Sequence, residues 1–255
     1  YPYDPGPLVE PGTRVAVVTQ DPAEAHRSPV DLAVLGEPAA ICAALAAAVD
    51  ARLAPDEPAR VRPAAPAPPG PGEPMFAGHV LAALAERLPH DAILLEETPS
   101  SRPELHARIP ATEPIGFISA MGMLGFALPA AIGVRMASQD RPVLTVVGDG
   151  SSLYQITALW SAVAYEVGVL FVVLVNGGYA IMDRLAERNG SDGPWPQLDT
   201  IAIGAMARAQ GCESIRVSEH ADLLERLDTL LPALADRATP LLLEVMVPPD
   251  ATFDP

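Results

Sequence analysis

From residue 142 the chain reads PVLTVVGDG, a run of β-forming side chains without polar alternation that ends on an acidic residue held between two glycines. A strand of that kind has to be covered on both faces, a condition met by parallel sheets with helices above and below. The pattern recurs in AILLEE (92–97), GVLFVVLVN (168–176) and PLLLEVMV (240–247), with a shorter ESIRV at 213–217. Between these strands lie segments of helical pattern: around 75–88, ALPAAIGVRMA (127–137), LYQITALWSAVAYE (153–166), one or two helices over about 179–188 and 199–210, and EHADLLERLDTLLPALAD (219–236). GFISAMGMLGF (116–126) reads as a glycine-punctuated loop. Such alternation predicts an α/β fold, a doubly wound parallel sheet over residues 75–255.

Residues 55–74, PDEPARVRPAAPAPPGPGEP, hold eight prolines and almost no bulky apolar residue. They cannot build a core, and they predict a semi-rigid linker in extended polyproline geometry. Before it, TRVAVVT (13–19) and DLAVLG (31–36) read as strands and EPAAICAALAAAVDARL (37–53) as a helix with proline at its start. Two strands and one helix are too little for an independent core. Residues 1–54 are therefore expected to be the tail of a partial α/β middle domain.

Charge narrows the partners. The 255 residues carry 32 Asp and Glu against 16 basic residues, a formal net charge of −16, which argues against nucleic acid and against an anionic membrane surface. All the basic residues are Arg. Without lysine there is neither a Schiff-base nucleophile nor a P-loop cation. The two cysteines, Cys42 and Cys212, and the five histidines show no zinc-site spacing, and no apolar run is long enough to span a bilayer. A reduced, cytoplasmic setting is expected.

Gly148-Asp149-Gly150 closes one predicted strand and Asn176-Gly177-Gly178 the next, 27 residues on from Asp149 to Asn176. In doubly wound folds ligands sit at the carboxyl ends of strands. Either motif alone is an ordinary turn. Together, one strand-helix-strand crossover apart, they offer two hard oxygen donors to one crevice, which suits Mg²⁺ carrying a diphosphate. No Arg occurs from Gly148 to Tyr179, so the anion would be met by metal, by backbone N–H groups and by the helix start at Gly150-Ser151-Ser152.

The segment GDGSSLYQITALWSAVAYEVGVLFVVLVNGGY resembles the thiamine-diphosphate motif, GDG followed some two dozen residues later by Asn-Asn. SAMGMLGFALPAAIGV is similar to the segment just upstream of it in the acetolactate synthase and benzoylformate decarboxylase group, and the GDGSxxYxIxALW and YDPG patterns bring the benzoylformate decarboxylases nearest. The resemblance runs from Tyr3-Asp4-Pro5-Gly6 to the carboxyl end. It implies thiamine diphosphate and Mg²⁺ as cofactors, with Asp149, Asn176 and the Gly178 carbonyl as metal ligands. It further implies that Gly150, Ser151, Tyr179 and Ser100 meet the diphosphate, that the Gly122 carbonyl receives the aminopyrimidine, and that Leu124 wedges the cofactor into its bent form. Met182 and Leu185 would face a 2-oxoacid substrate.

Two departures stand out. The family's Asn-Asn reads Val175-Asn176, and Tyr1 stands where benzoylformate decarboxylases carry an active-site histidine in YHxYDPG. The resemblance also places the glutamate that activates the pyrimidine in an amino-terminal domain that these residues do not include. The chain is thus expected to be half of an active site, inactive alone, and to self-associate as a homodimer or homotetramer. Decarboxylation of a 2-oxoacid is the leading expectation; acetolactate synthase-like carboligation and a non-catalytic cofactor-binding role are the alternatives.

Overall fold

A computed structural model describes residues 9–49, 62–70 and 72–249. The chain divides into two compact units, residues 1–60 and 61–255. In the first, strands β1 (Ala16–Thr19) and β2 (Leu32–Leu35) pair in parallel. Helix α1 (Pro22–Arg27) starts at Asp21, whose carboxylate accepts the Ala23 N–H at 2.8 Å. Helix α2 (Pro38–Ala48) has proline in its first turn and Glu37 as its cap, accepting from the Ala39 and Ala40 N–H groups. Neither helix buries a residue.

The second unit begins in the Pro-rich stretch. Residues 62–70 form neither helix nor strand, but they are fastened down: the Pro63 and Ala64 carbonyls accept from Arg108 at 3.3 and 3.1 Å, and the Ala67 carbonyl lies 3.0 Å from His79 Nε2. There follow α3 (Ala77–Arg87), β3 (Ile93–Glu97), α4 (Arg102–Arg108), β4 (Phe117–Ser119), α5 (Ala127–Ala137), β5 (Val143–Gly148), α6 (Asp149–Ser152), α7 (Ala158–Ala164), β6 (Leu170–Val175), α8 (Ala180–Arg188), α9 (Ile203–Ala209), β7 (Glu213–Val217), α10 (His220–Leu230) and β8 (Leu241–Met246).

The six strands form one sheet in the order β4-β3-β5-β6-β8-β7, every pairing parallel. The sheet is doubly wound, as expected, because strand residues of alternate parity feed two separate cores. Leu94, Leu144, Val146, Val172 and Leu243 pack with Val80, Leu81 and Leu84 of α3 and with Leu223 and Leu227 of α10. Their neighbours Ile93, Leu95, Val143, Val147, Phe171, Val173 and Leu242 pack with α5, α7 and α9 through Leu128, Leu159 and Ile203. The winding reverses at β3, with β4 on one side of it and β5 on the other. That reversal opens a crevice at the carboxyl ends of β3 and β5.

Three local expectations are corrected. The loop expected over 116–126 contributes edge strand β4, because Phe117–Ser119 can ladder onto Leu94–Glu96. The helix expected over 153–166 is cut to α7: from Ser151 to Trp160 the bonds run three residues apart, Tyr154 to Ser151, Gln155 to Ser152 and Trp160 to Thr157, around the β-branched pair Ile156-Thr157. Helix α10 stops at Leu230 rather than 236, since Pro232 has no N–H and its ring crowds the preceding turn.

Candidate functional site

The end of β5 places Asp149 at the first position of α6, 3% exposed. Its Oδ1 accepts the Gly150 N–H at 2.8 Å; its Oδ2 accepts the N–H groups of Asn176 at 3.1 Å and Gly177 at 2.7 Å. The two strand ends are neighbours in the ladder, with Gly148 opposite Leu174. Asn176 Oδ1 in turn accepts the Gly178 N–H at 3.1 Å. Gly177 sits at φ +77°, where a side chain would be strained, so the turn that presents Gly178 depends on glycine.

Burial pushes the Asp149 carboxyl above the usual carboxylate range, against the opposing pull of the Gly177, Gly150 and Asn176 N–H groups. Desolvation disfavours the charged form, and the backbone donors favour it. A cation beside it would favour the charged form further. Among the described residues no group of three or more His, Cys, Asp or Glu could hold a metal. The oxygens at hand are one carboxylate, one side-chain amide and backbone carbonyls, a donor set that fits Mg²⁺ keeping water and phosphate ligands.

The other expected residues are held in several places. The position a Gly150 Cβ would take lies 2.6 Å from Tyr179 Cε1, so the tyrosine ring rests directly on that glycine and leaves no room for a side chain. Ser151 is buried in α6. Ser100, on the loop after β3, accepts the Ile181 N–H at 3.1 Å and so caps α8. Gly122 (φ +97°) and Leu124, 39% exposed, lie on the loop between β4 and α5. That loop approaches the α6–α7 connection, where a Gly125 Cβ would come within 2.9 Å of Tyr154 Cβ. Met182 and Leu185 are half-buried on α8 and belong to neither core. Tyr1 falls outside the described residues.

Two carboxylates at the end of β3 turn out to be structural. Glu97, fully buried, accepts the N–H groups of Gly125, Phe126 and Ala127 at 2.6, 2.8 and 2.6 Å, capping α5 from another strand and tethering the Gly122–Leu124 loop. Glu96, equally buried, accepts from the Thr98 N–H at 2.6 Å, Ser119 Oγ at 2.6 Å and Arg102 Nε at 3.1 Å. Burial alone would raise its pKa; the bonds from Ser119 and Thr98 and the charge of Arg102 outweigh that and hold it below the usual range. The role of Glu97 has no local sequence signal, because its partners lie some thirty residues downstream. The loop over 190–198 is likewise silent in sequence, yet its Leu198 N–H donates to the Gly177 carbonyl at 2.7 Å.

Comparison with known proteins identifies the family. Residues 102–245 match the family described as thiamine pyrophosphate enzyme, C-terminal TPP binding domain. Benzoylformate decarboxylase of Pseudomonas aeruginosa is 36% identical over 255 residues, covering 99% of this chain and 47% of the relative. The acetolactate synthase large subunit of Parasynechococcus marenigrum is 32% identical over 133 residues, 48% of this chain and 21% of the relative. Among solved structures, a Rhodococcus jostii thiamine diphosphate-dependent 4-hydroxybenzoylformate decarboxylase superposes with a TM-score of 0.84 at 29% identity, over 100% of this chain and 47% of that one. The chain spans about half the length of these two decarboxylases. A doubly wound sheet with its acidic and amide strand ends side by side, matched over most of its length by that family, makes this chain a member of the thiamine pyrophosphate enzymes, carrying their C-terminal TPP-binding domain.

Proposed function

We propose that this chain forms the diphosphate- and metal-binding part of a thiamine-diphosphate-dependent 2-oxoacid decarboxylase of the benzoylformate decarboxylase type. The observation that carries the reading is Asp149, a buried carboxylate at the end of β5 that accepts the Asn176 and Gly177 N–H groups at the end of the adjacent parallel strand. Thiamine diphosphate, when bound, supplies the nucleophilic carbon and electron sink that side chains lack, which is what loss of CO₂ from a 2-oxoacid requires. The residues of this chain bind and orient it. Asp149, Asn176 and the Gly178 carbonyl hold Mg²⁺; Gly150, Ser151, Tyr179 and Ser100 meet the diphosphate; Gly122 and Leu124 set the pyrimidine side; Met182 and Leu185 form one wall for the substrate.

Neither Glu96 nor Glu97 is free to activate the pyrimidine, since each is occupied by internal donors. That task therefore falls to a glutamate-bearing amino-terminal domain. Met121, Met123, Tyr154 and Trp160 are 78, 62, 57 and 59% exposed, and they support self-association into a homodimer or homotetramer. A cytoplasmic setting accords with the described residues, among which no helix is long and apolar enough to cross a membrane.

Titration calorimetry with Mg²⁺ and thiamine diphosphate tests the binding half: wild type is expected to bind and Asp149→Ala to lose binding. Product analysis of the enzyme completed with its glutamate-bearing domain tests the chemistry. Benzaldehyde from benzoylformate is expected, whereas acetolactate from pyruvate without benzaldehyde overturns decarboxylation in favour of carboligation, the reading that the acetolactate synthase relatives favour.

A further inference from the structure

The Asn176–Gly178 turn presents a difficulty that its own residues do not solve. Its backbone is glycine-rich and soft, and a backbone carbonyl cannot be aimed by choosing a side chain. From below, Asp149 Oδ2 holds the Asn176 and Gly177 N–H groups. From above, the loop of residues 190–198 folds back across the turn: the Leu198 N–H donates to the Gly177 carbonyl at 2.7 Å, and Gln197 Oε1 lies 3.0 Å from where a Gly178 Cβ would be. Leu198 is 6% exposed, and its Cδ1 comes within 3.2 Å of the Gly150 Cβ position, so one residue touches both strand-end motifs.

This strap is also pinned to α8. Trp195 Nε1–H donates to Asp183 Oδ1 on α8 at 2.7 Å, and the indole lies so tightly on Gly193 that a Cβ there would be 2.1 Å from Cζ2. The other oxygen of Asp183 is 3.8 Å from the Gly178 Cβ position. The pin thus closes beside the turn it would steady.

We propose that Trp195 and Asp183 are positioning residues: their hydrogen bond locks the 190–198 strap over the Asn176–Gly178 turn and thereby sets the affinity of the site for Mg²⁺-thiamine diphosphate. The proposal rests on the metal-diphosphate reading above. Groups that orient metal ligands from outside the coordination sphere typically change affinity about 10- to 100-fold when removed. Trp195→Phe keeps the ring and loses the donor; Asp183→Ala loses the acceptor; Asp183→Asn keeps an acceptor oxygen without the charge.

Calorimetry on the purified chain with Mg²⁺ and thiamine diphosphate is expected to show Kd raised roughly 10-fold or more by Trp195→Phe and by Asp183→Ala, no further loss in the double variant, and recovery to within about 3-fold in Asp183→Asn. In a Trp160→Phe background Trp195 is the sole indole, and Asp183→Ala should make its fluorescence more quenchable by acrylamide without ligand. Wild-type affinity in Trp195→Phe, or an Asp183→Asn variant as weak as Asp183→Ala, overturns the strap. Failure of wild type to bind Mg²⁺-thiamine diphosphate overturns the metal-diphosphate reading and the strap with it.

Discussion

Replacing Glu97 by Gln changes two heavy atoms' chemistry and almost no volume, yet it should unsettle both α5 and the loop that leads into it. The carboxylate takes three N–H groups, Gly125 on one oxygen and Phe126 and Ala127 on the other, all within 2.8 Å and with no exposed surface. An amide has one oxygen, which can serve two of these donors at most; its NH₂ must then point at the third. The stranded backbone N–H costs about 1–3 kcal/mol, and the two surviving bonds drop from the charged class, about 1.5–3 kcal/mol each, to the neutral class, about 0.5–1.5. Loss of the anion from the helix start adds a few tenths more. The expected destabilisation is about 3–6 kcal/mol, which for a unit of this size lowers the melting temperature by roughly 10–15 °C. Urea unfolding followed by circular dichroism measures it, with the exposed Glu225→Gln as a control expected to change stability by less than about 0.5 kcal/mol. Because Gly125 ends the loop bearing Gly122 and Leu124, weaker thiamine diphosphate binding should accompany the loss. A Glu97→Gln protein within about 1 kcal/mol of wild type, at unchanged denaturant slope, refutes the claim that three converging backbone donors require a full carboxylate.

Glu96 governs an acid limb of stability. Its folded pKa is held below the ordinary 4.5, so its contribution is complete above that pH and is lost as pH falls through the folded value. Glu96→Gln should lower the urea midpoint at pH 7 and flatten its decline below pH 4.5; an unchanged acid limb would exclude Glu96 as its source. Gly168 is expected to tolerate no side chain, since a Cβ would sit 1.8 Å from the Arg237 carbonyl oxygen and 2.4 Å from its carbon, both backbone atoms. Gly168→Ala should destabilise by about 3 kcal/mol or more, read as a lower melting temperature, and a near-neutral variant would mean that the 237–238 backbone moves freely.

Much of the architecture was legible because burial on two faces leaves a mark on consecutive residues. The strands at β3, β5, β6 and β8 follow their apolar runs to within a residue or two, and Pro38 and Pro232 punctuate helices as their chemistry requires. Where the signal failed, competition was local. Ile156-Thr157 tightened a helix-like pattern into turns, and Phe117–Ser119 became an edge strand only because β3 offered it a ladder. The resemblance of GDGSS and VNGGY to a known motif pointed to the Asp149 and Asn176 pair, but the hydrogen bonds that bind the two motifs together are visible only in the fold.

By itself, then, the sequence determined the fold class, the polarity of each strand and the two oxygen-bearing ends that meet, because those follow from periodicity and from the short distance of one crossover. What only the tertiary structure decided was which groups hold these ends still: Glu97 capping α5 from β3, Ser100 capping α8, and Leu198 and Trp195 folding a featureless loop over the Gly177–Gly178 turn. Those partners are joined through space rather than along the chain. A hydrogen bond across thirty or eighty residues leaves no period in the sequence that could announce it.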